Sequence, residues 1–279
     1  MIASEVFEEL AAGLNHPEGV AWNPVDGHVY AGGEAGEIYR VSLDGRVDEL
    51  AATGGSMLGL AVDGRGRVYA CDEGNGEIVR LDPSTSALEV YARDLSGGEL
   101  DTPNALAFGP DGALFVTCSG ESGSPSIVRV MPDRAVTTWS LEVPGYPNGC
   151  CVDTDGRGLV VVEAHAQRLV RVPIETDGTA GTPSVIAELR DTDPDGVALD
   201  AEGGLWVTLY RPDGIVRVVD GSVDVTIDDR LAHTFDAPTN LAWVGAALDR
   251  AVVANVGDRF LSIGDVGVKG VAPHAPEFA

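Results

Sequence analysis

Short apolar runs recur along most of this chain at a regular distance. Aligning them gives GVAW, GLAV, ALAF, GCCV, GVAL and NLAW, beginning at residues 19, 59, 105, 149, 196 and 240, so that successive copies lie 40, 46, 44, 47 and 44 residues apart. A turn follows each: PVDG, DGRG, GPDG, DTDG, DAEG and VGAALD. A second β-rich run comes next, such as HVYAGG, RVYACD, ALFVTCS or GLWVTLY. A third closes with a shared ending, EIYRV, EIVRL, SIVRV, RLVRV, GIVRV and, more weakly, RFLSI. A fourth, more variable run completes each unit, as in VDELAA or VDVTID. Four short antiparallel strands per repeat and six repeats predict an all-β, six-bladed β-propeller. The sixth repeat lacks a clear fourth strand, whereas EVFEELA (5–11) resembles one and precedes the first repeat. The N-terminal strand is therefore expected to close the ring and remove an open sheet edge.

With 279 residues and no visible linker, the chain reads as one domain over 1–279, with 270–279 as a loose tail. The net charge of −26 repels polyanions, so neither nucleic acid nor an anionic membrane is an expected partner. The same charge serves solubility, or gathers a cation. No basic-then-apolar leader is present and no apolar run approaches ~18 residues, which gives a cytoplasmic expectation. Cys71, Cys118, Cys150 and Cys151 fit no zinc spacing and read as buried thiols, with Cys150 and Cys151 on opposite faces of one strand.

The residue before each aligned run varies while its frame holds. It is Glu18, Leu58, Asn104, Asn148, Asp195 and Thr239, with Asn240 beside the last. In a propeller the innermost strand of each blade lines the central channel, so these positions form a ring about one axis. Turn grammar alone favours Asn and Asp at strand entries, but it predicts similar residues in every blade. Two carboxylates and two carboxamides, with no His or Cys among them, suit a hard cation. Zinc prefers nitrogen and sulfur. Calcium is the expected ion, with magnesium, manganese or zinc as alternatives.

The six-blade pattern together with PEG (17–19), PNG (147–149) and PDGVALDAEGGLWV (194–207) resembles the senescence-marker-protein/gluconolactonase/luciferin-regenerating (regucalcin-like) family over essentially the whole chain. More distantly it resembles the phosphotriesterase and paraoxonase propellers. The resemblance implies that Glu18, Asn148 and Asp195 bind a divalent cation, with Asn104 as a fourth ligand or as a partner of bound water or substrate. It also implies hydrolysis of lactones or related esters, with Asp195 as base or nucleophile. One departure changes the substrate expectation. Where the sugar lactonases usually carry an Arg and an Asp around the third-blade Asn, this chain has Thr102 and Ala105. An apolar or aromatic lactone or ester is then expected, contacted by Met57, Leu58, Thr102, Tyr146, Tyr210, Arg211 and Asn240, with Leu209 adding apolar surface.

Loops between second and third strands are expected on the same face as the ring. They supply Glu34, Asp72, Glu73, Ser119, Glu121, Glu163, His165, Tyr210, Arg211 and Asn255. His165 lies in the blade that carries Asn148 and is a candidate proton shuttle; an exposed loop histidine without that role is the competing reading. His16 is a candidate support for Glu18 or a simple turn residue, while His28 and His233 suggest no partner. No phosphate loop, GxSxG elbow, HExxH or dinucleotide fingerprint is present. Two other functions remain open: a lyase, isomerase or condensation enzyme like the strictosidine-synthase relatives, and a non-catalytic calcium-binding propeller. The resemblance argues against the former, since those relatives lack the metal set. A small-molecule substrate and a monomer or weak homo-oligomer complete the expectation.

Overall fold

The structure, a computed structural model, describes residues 2–93, 100–120, 126–229 and 234–277. Glu121 and His233 lie outside the described residues. After a short 3-10 turn (Ser4–Val6) comes β1 (Phe7–Ala12), which is not part of the first blade. Blade 1 comprises β2 (Val20–Asn23), β3 (His28–Gly32), β4 (Glu37–Ser42) and β5 (Val47–Ala52). Blade 2 comprises β6 (Met57–Val62), β7 (Val68–Asp72), β8 (Glu77–Asp82) and β9 (Ala87–Ala92). Blade 3 follows as β10 (Pro103–Phe108), β11 (Leu114–Cys118), β12 (Ile127–Val130) and β13 (Val136–Ser140). Blade 4 is β14 (Pro147–Val152), β15 (Gly158–Glu163), β16 (Arg168–Pro173) and β17 (Ser184–Glu188). Blade 5 is β18 (Asp193–Leu199), β19 (Leu205–Arg211), β20 (Gly214–Val219) and β21 (Ser222–Asp228). Blade 6 has β22 (Pro238–Val244), β23 (Arg250–Asn255) and β24 (Phe260–Gly264), and its fourth strand is β1, antiparallel to β24. The expected six-bladed propeller, closed by its N-terminal strand, is the observed one.

The apolar alternation of the strands goes into wedges between neighbouring blades. Tyr30, Ile38 and Met57 pack between blades 1 and 2, Tyr69, Phe108 and Leu114 between 2 and 3, and Phe115, Leu159 and Val161 between 3 and 4. Val162, Leu205 and Val207 fill the next gap, Trp206, Phe235 and Trp243 the one after, and Val29, Val41 and Val252 close the ring. Because both faces of each sheet meet another blade, the strands are buried on both sides and their sequences read as continuous apolar runs. Cys150 and Cys151 join different wedges, as opposite faces of β14 require, and all four thiols are free.

The turns between first and second strands are pinned by aspartates. Asp200 accepts from the backbone N–H of Glu202 and Gly204 (2.9 and 2.8 Å), from Trp206 Nε1 (2.8 Å) and from Arg217 Nε (2.6 Å). Asp63 does the same for Arg65, Arg67 and the hydroxyl of Tyr69, and Asp153 for Arg157, Gly158 and Arg171. The C-terminal segment, expected to be loose, crosses this end of the ring instead. Ala201 N–H donates to Lys269 O (2.8 Å), Val271 N–H to Leu199 O (3.1 Å) and Gly64 N–H to Pro276 O (3.0 Å). Its backbone finds partners in the turns of blades 2 and 5, which composition alone does not reveal. Among the described residues no helix is long and apolar enough to cross a membrane.

Candidate functional site

The opposite end of the ring, where the inner strands begin, carries the variable position. On β10, Pro103 pairs with Cys118 and Leu106 with Val116, so one extra residue is inserted opposite β11. The same slip falls at Met57/Leu60, Pro147/Cys150, Pro194/Val197 and Pro238/Leu241. Each is a β-bulge, which releases a residue from the ladder and re-aims its side chain. The released residues include Leu58, Asn104, Asn148, Asp195 and Thr239; Glu18 occupies the equivalent place ahead of β2. His16, Thr102, Tyr146 and Ala237 stand two positions earlier with φ of 44°, 55°, 60° and 50°. Each precedes a proline, which disfavours the right-handed helical region for it.

Hydroxyls stitch these bulges to the next blade. Thr117 Oγ1 accepts from Ala105 N–H (2.9 Å) and donates to Asn148 O (2.8 Å). Thr208 Oγ1 joins Gly196 N–H (2.8 Å) to Thr239 O (2.7 Å), and Thr239 Oγ1 donates to Glu18 O (2.8 Å). The glycine after the variable residue has a steric cause. A Cβ on Gly149 would lie 2.5 Å from Asp195 O and 2.6 Å from Gly196 Cα.

Above the ring lies a cavity of about 540 Å³. Glu18, Asn104, Asn148 and Asp195 line it together, and so do Met57, Leu58, Thr102 and Tyr146. The remaining walls are His16, Glu34, Ser56, Glu73 and Val256. Five expected site residues are elsewhere. Tyr210 and Arg211 are exposed at the end of β19, where the guanidinium lies 4.8 Å from the Tyr210 ring centroid and pairs with Asp213. Asn240, one residue past the released Thr239, uses Oδ1 to accept from Leu241 N–H (3.0 Å). His165 is exposed and stacks on Tyr146 at 4.4 Å between centroids, outside the cavity-lining set. Leu209 is buried among blade 4 and blade 5 residues rather than at the mouth. Of the expected loop acids, Asp72 is spent on Ser56, Asn75 and their turn, and Glu163 on Gly145 N–H and Arg168. Asn255 caps Asp236 N–H, and Ser119 donates to Pro147 O.

Glu18 and Asp195 face one another's charge with no cationic partner among the described residues. Burial, and then the charge of Glu73, raises Glu18 to about 7. Asp195 stands well above the ordinary carboxylate range through burial and then the charge of Glu18, against a hydrogen bond from the Asn148 amide that favours its ionised form. Asn104 is only 5% exposed, and its amide has no hydrogen-bond partner among the described residues.

A model of the SMP-30/gluconolactonase/LRE-like region matches residues 7–256. The chain belongs to this family. A Staphylococcus haemolyticus relative, lactonase drp35, is 25% identical over 187 residues, 63% of this chain and 57% of the relative. Strictosidine synthase-like 6 of Arabidopsis thaliana is 24% identical over 224 residues, 74% of this chain and 58% of that protein. The chain thus spans less than three fifths of the length of these curated relatives. Among solved structures, the calcium-binding protein regucalcin from Agrobacterium tumefaciens superposes with a TM-score of 0.78 at 21% identity, covering 96% of this chain and 95% of that one. This likeness shows the shared propeller.

The family resemblance implies a divalent ion, and the donor set fits one. Among the described residues no site is built from three or more His, Cys, Asp or Glu alone. The family position here holds a mixed set, two carboxylates and two carboxamides, all oxygen donors suited to a hard cation. Two carboxylates driven toward protonation by burial and by a neighbouring carboxylate, Glu73 for Glu18 and Glu18 for Asp195, are the arrangement a cation relieves.

Proposed function

We propose that this cavity hydrolyses lactones or related esters with the help of one divalent cation, calcium first among the candidates, held by Glu18, Asn148 and Asp195 with Asn104 as a fourth donor. The observation that carries the reading is the convergence of two unpaired carboxylates and two carboxamides in the cavity at the channel mouth. The family match and the lactonase relative support the reaction class, and the calcium-binding neighbour supports the ion. A bound ion would supply positive charge against the carbonyl oxygen as it becomes an oxyanion.

The chain's own groups supply the rest. Acting as base, Asp195 takes a proton from water as the water oxygen bonds to the carbonyl carbon, then returns it to the departing ring oxygen, giving a hydroxy acid. The Asn148 amide, donating to Asp195, fixes which carboxylate face meets the substrate. Met57, Leu58 and Val256 exclude competing water along one wall. Lactone opening should be lost when the protein is stripped with a chelator and restored by calcium. Full turnover after verified removal of divalent ions would overturn the metal assignment.

A second reading is a propeller enzyme of another reaction class. The strictosidine synthase-like relative favours it, since that match covers more of this chain than the lactonase match does. Absence of hydrolysis across γ- and δ-lactones and aryl esters, with calcium bound, would favour this reading.

A further inference from the structure

The cavity lining combines two unlike chemistries. Met57, Leu58, Tyr146 and Val256 supply apolar surface, while Glu34 and Glu73 add two carboxylates to those of Glu18 and Asp195. Among the described residues no lysine or arginine lines it, and His16 is the one lining residue that can become a cation. Its Nδ1 lies 2.9 Å from Val256 O, so Nδ1–H donates there and Nε2 is left 3.9 Å from Glu34. Glu73 has no ion-pair partner among the described residues. One divalent ion offsets two of the four negative charges, so the rim keeps its own even when the ring is filled. Exposed carboxylates alone do not make a ligand site. Here they border a cavity that is also lined by Asn104, nine-tenths buried and without a hydrogen-bond partner among the described residues. Something polar is therefore accommodated in this cavity, and its surroundings repel anions. The net charge of −26 extends the same preference outward, because a charged cleft concentrates ions of opposite sign.

We propose that the substrate of this site carries a positive charge, an ammonium or quaternary amine beside an apolar portion, and that Glu73, assisted by Glu34, selects it. The proposal deepens the hydrolase reading and rests on it for the reacting carbonyl. The amine is held at the rim by the two carboxylates, the hydrocarbon lies along Met57, Leu58 and Val256, and Tyr146 offers a ring face to the cation. Carboxylate- and phosphate-bearing substrates meet uncompensated negative charge and are rejected.

Calcium-loaded protein is titrated by calorimetry with phenyltrimethylammonium, benzyl alcohol and benzoate, and its hydrolysis of the butyrate esters of choline, 3,3-dimethylbutanol and a carboxylate-bearing alcohol of similar size is measured in parallel. The quaternary probe and ester are expected to exceed their neutral counterparts by about tenfold at low salt, with the anionic ones weakest. Glu73→Gln should cut the cation-to-neutral ratio severalfold, Glu34→Gln less, and high salt should erode it in unaltered protein, which requires no variant to fold. Equal binding of benzoate and phenyltrimethylammonium, or a ratio insensitive to salt and to Glu73→Gln, would overturn the proposal. Hydrolysis of all three esters at equal kcat/KM would overturn it while leaving the hydrolase reading intact. Preferential binding of the cation without hydrolysis of any of these esters, or of γ- and δ-lactones and aryl esters, would support the charge preference and overturn the hydrolase reading.

Discussion

Asp195 sits between the Asn148 amide and the charge of Glu18, in a bulge that its backbone enters independently of the side chain. Asp195→Asn should therefore preserve the far-ultraviolet circular dichroism and lower lactone turnover by ~10²–10⁴-fold, the range for loss of a general base. Turnover within a factor of ~3 of the unaltered protein, far short of that range, would remove Asp195 from the chemistry. Asp200, at the other end of the ring, tests stability rather than function. Burial pushes its carboxyl up, but the donors on Arg217, Trp206, Gly204 and Glu202 outweigh burial and hold it below its ordinary value of 3.8. A depressed carboxylate stabilises the fold above its unfolded-state pKa, and that contribution is lost as pH falls through the folded-state value. Asp200→Asn should cost about 3 kcal/mol at pH 7, the low end for breaking a buried pair, because Glu202 and Asp224 remain on Arg217. In urea unfolding the gap should narrow below pH 4; a gap independent of pH would contradict the pairing. The residues legible from sequence were those whose type varied inside a constant frame: Glu18, Asn104, Asn148 and Asp195. Asn240 was not, because adjacent strand residues face opposite ways, and loop residues such as His165 and Tyr210 have no repeat frame to fix their direction. Ser56 and Val256 carried no signal at all, being ordinary residues brought to the cavity by blade packing.

At the level of the strand, the bulge answers why a carboxamide or carboxylate starts an apolar run. The ladder of β14 is interrupted between Pro147 and Cys150, so Asn148 is free of cross-strand pairing and turns into the channel. The run resumes at Cys150, and Gly149 lets the backbone of β14 touch that of β18. Strand order and blade count were readable from the period, since apolar runs, turns and closing Arg-Val or Arg-Leu pairs repeat together. The bulge was not, because one inserted residue leaves the apolar pattern on each side unchanged. Gly149→Ala makes the contact measurable. Its new Cβ would meet backbone atoms of Asp195 and Gly196, which cannot swing aside. Overpacking of this kind costs ~1–3 kcal/mol, and here the shift falls on a proposed ligand. Both the melting temperature and calcium affinity should drop. A variant as stable and as tight as the parent would show that blades 4 and 5 are not in such close contact.

Across the whole molecule, six wedges of apolar side chains and one strand borrowed from the N-terminus hold the ring, and the ring brings four oxygen-bearing side chains from separate blades to one point. None of the four is near another in sequence, so the site exists only when the ring is closed. The N-terminal closure was legible as a missing strand at one end and a spare at the other. The packing of residues 269–276 against the far turns was not, since Gly- and Pro-rich sequence carries no periodicity to betray a partner. The whole account turns on cation binding at the channel mouth. Its most direct test is a calorimetric calcium titration of chelator-stripped protein alongside Glu18→Gln and Asp195→Asn. One site per chain is expected in the parent, with affinity falling at least ~100-fold in each variant as a buried charged ligand is lost. Parent and variants that bind calcium equally well, or a parent that binds no divalent ion at all, would contradict it.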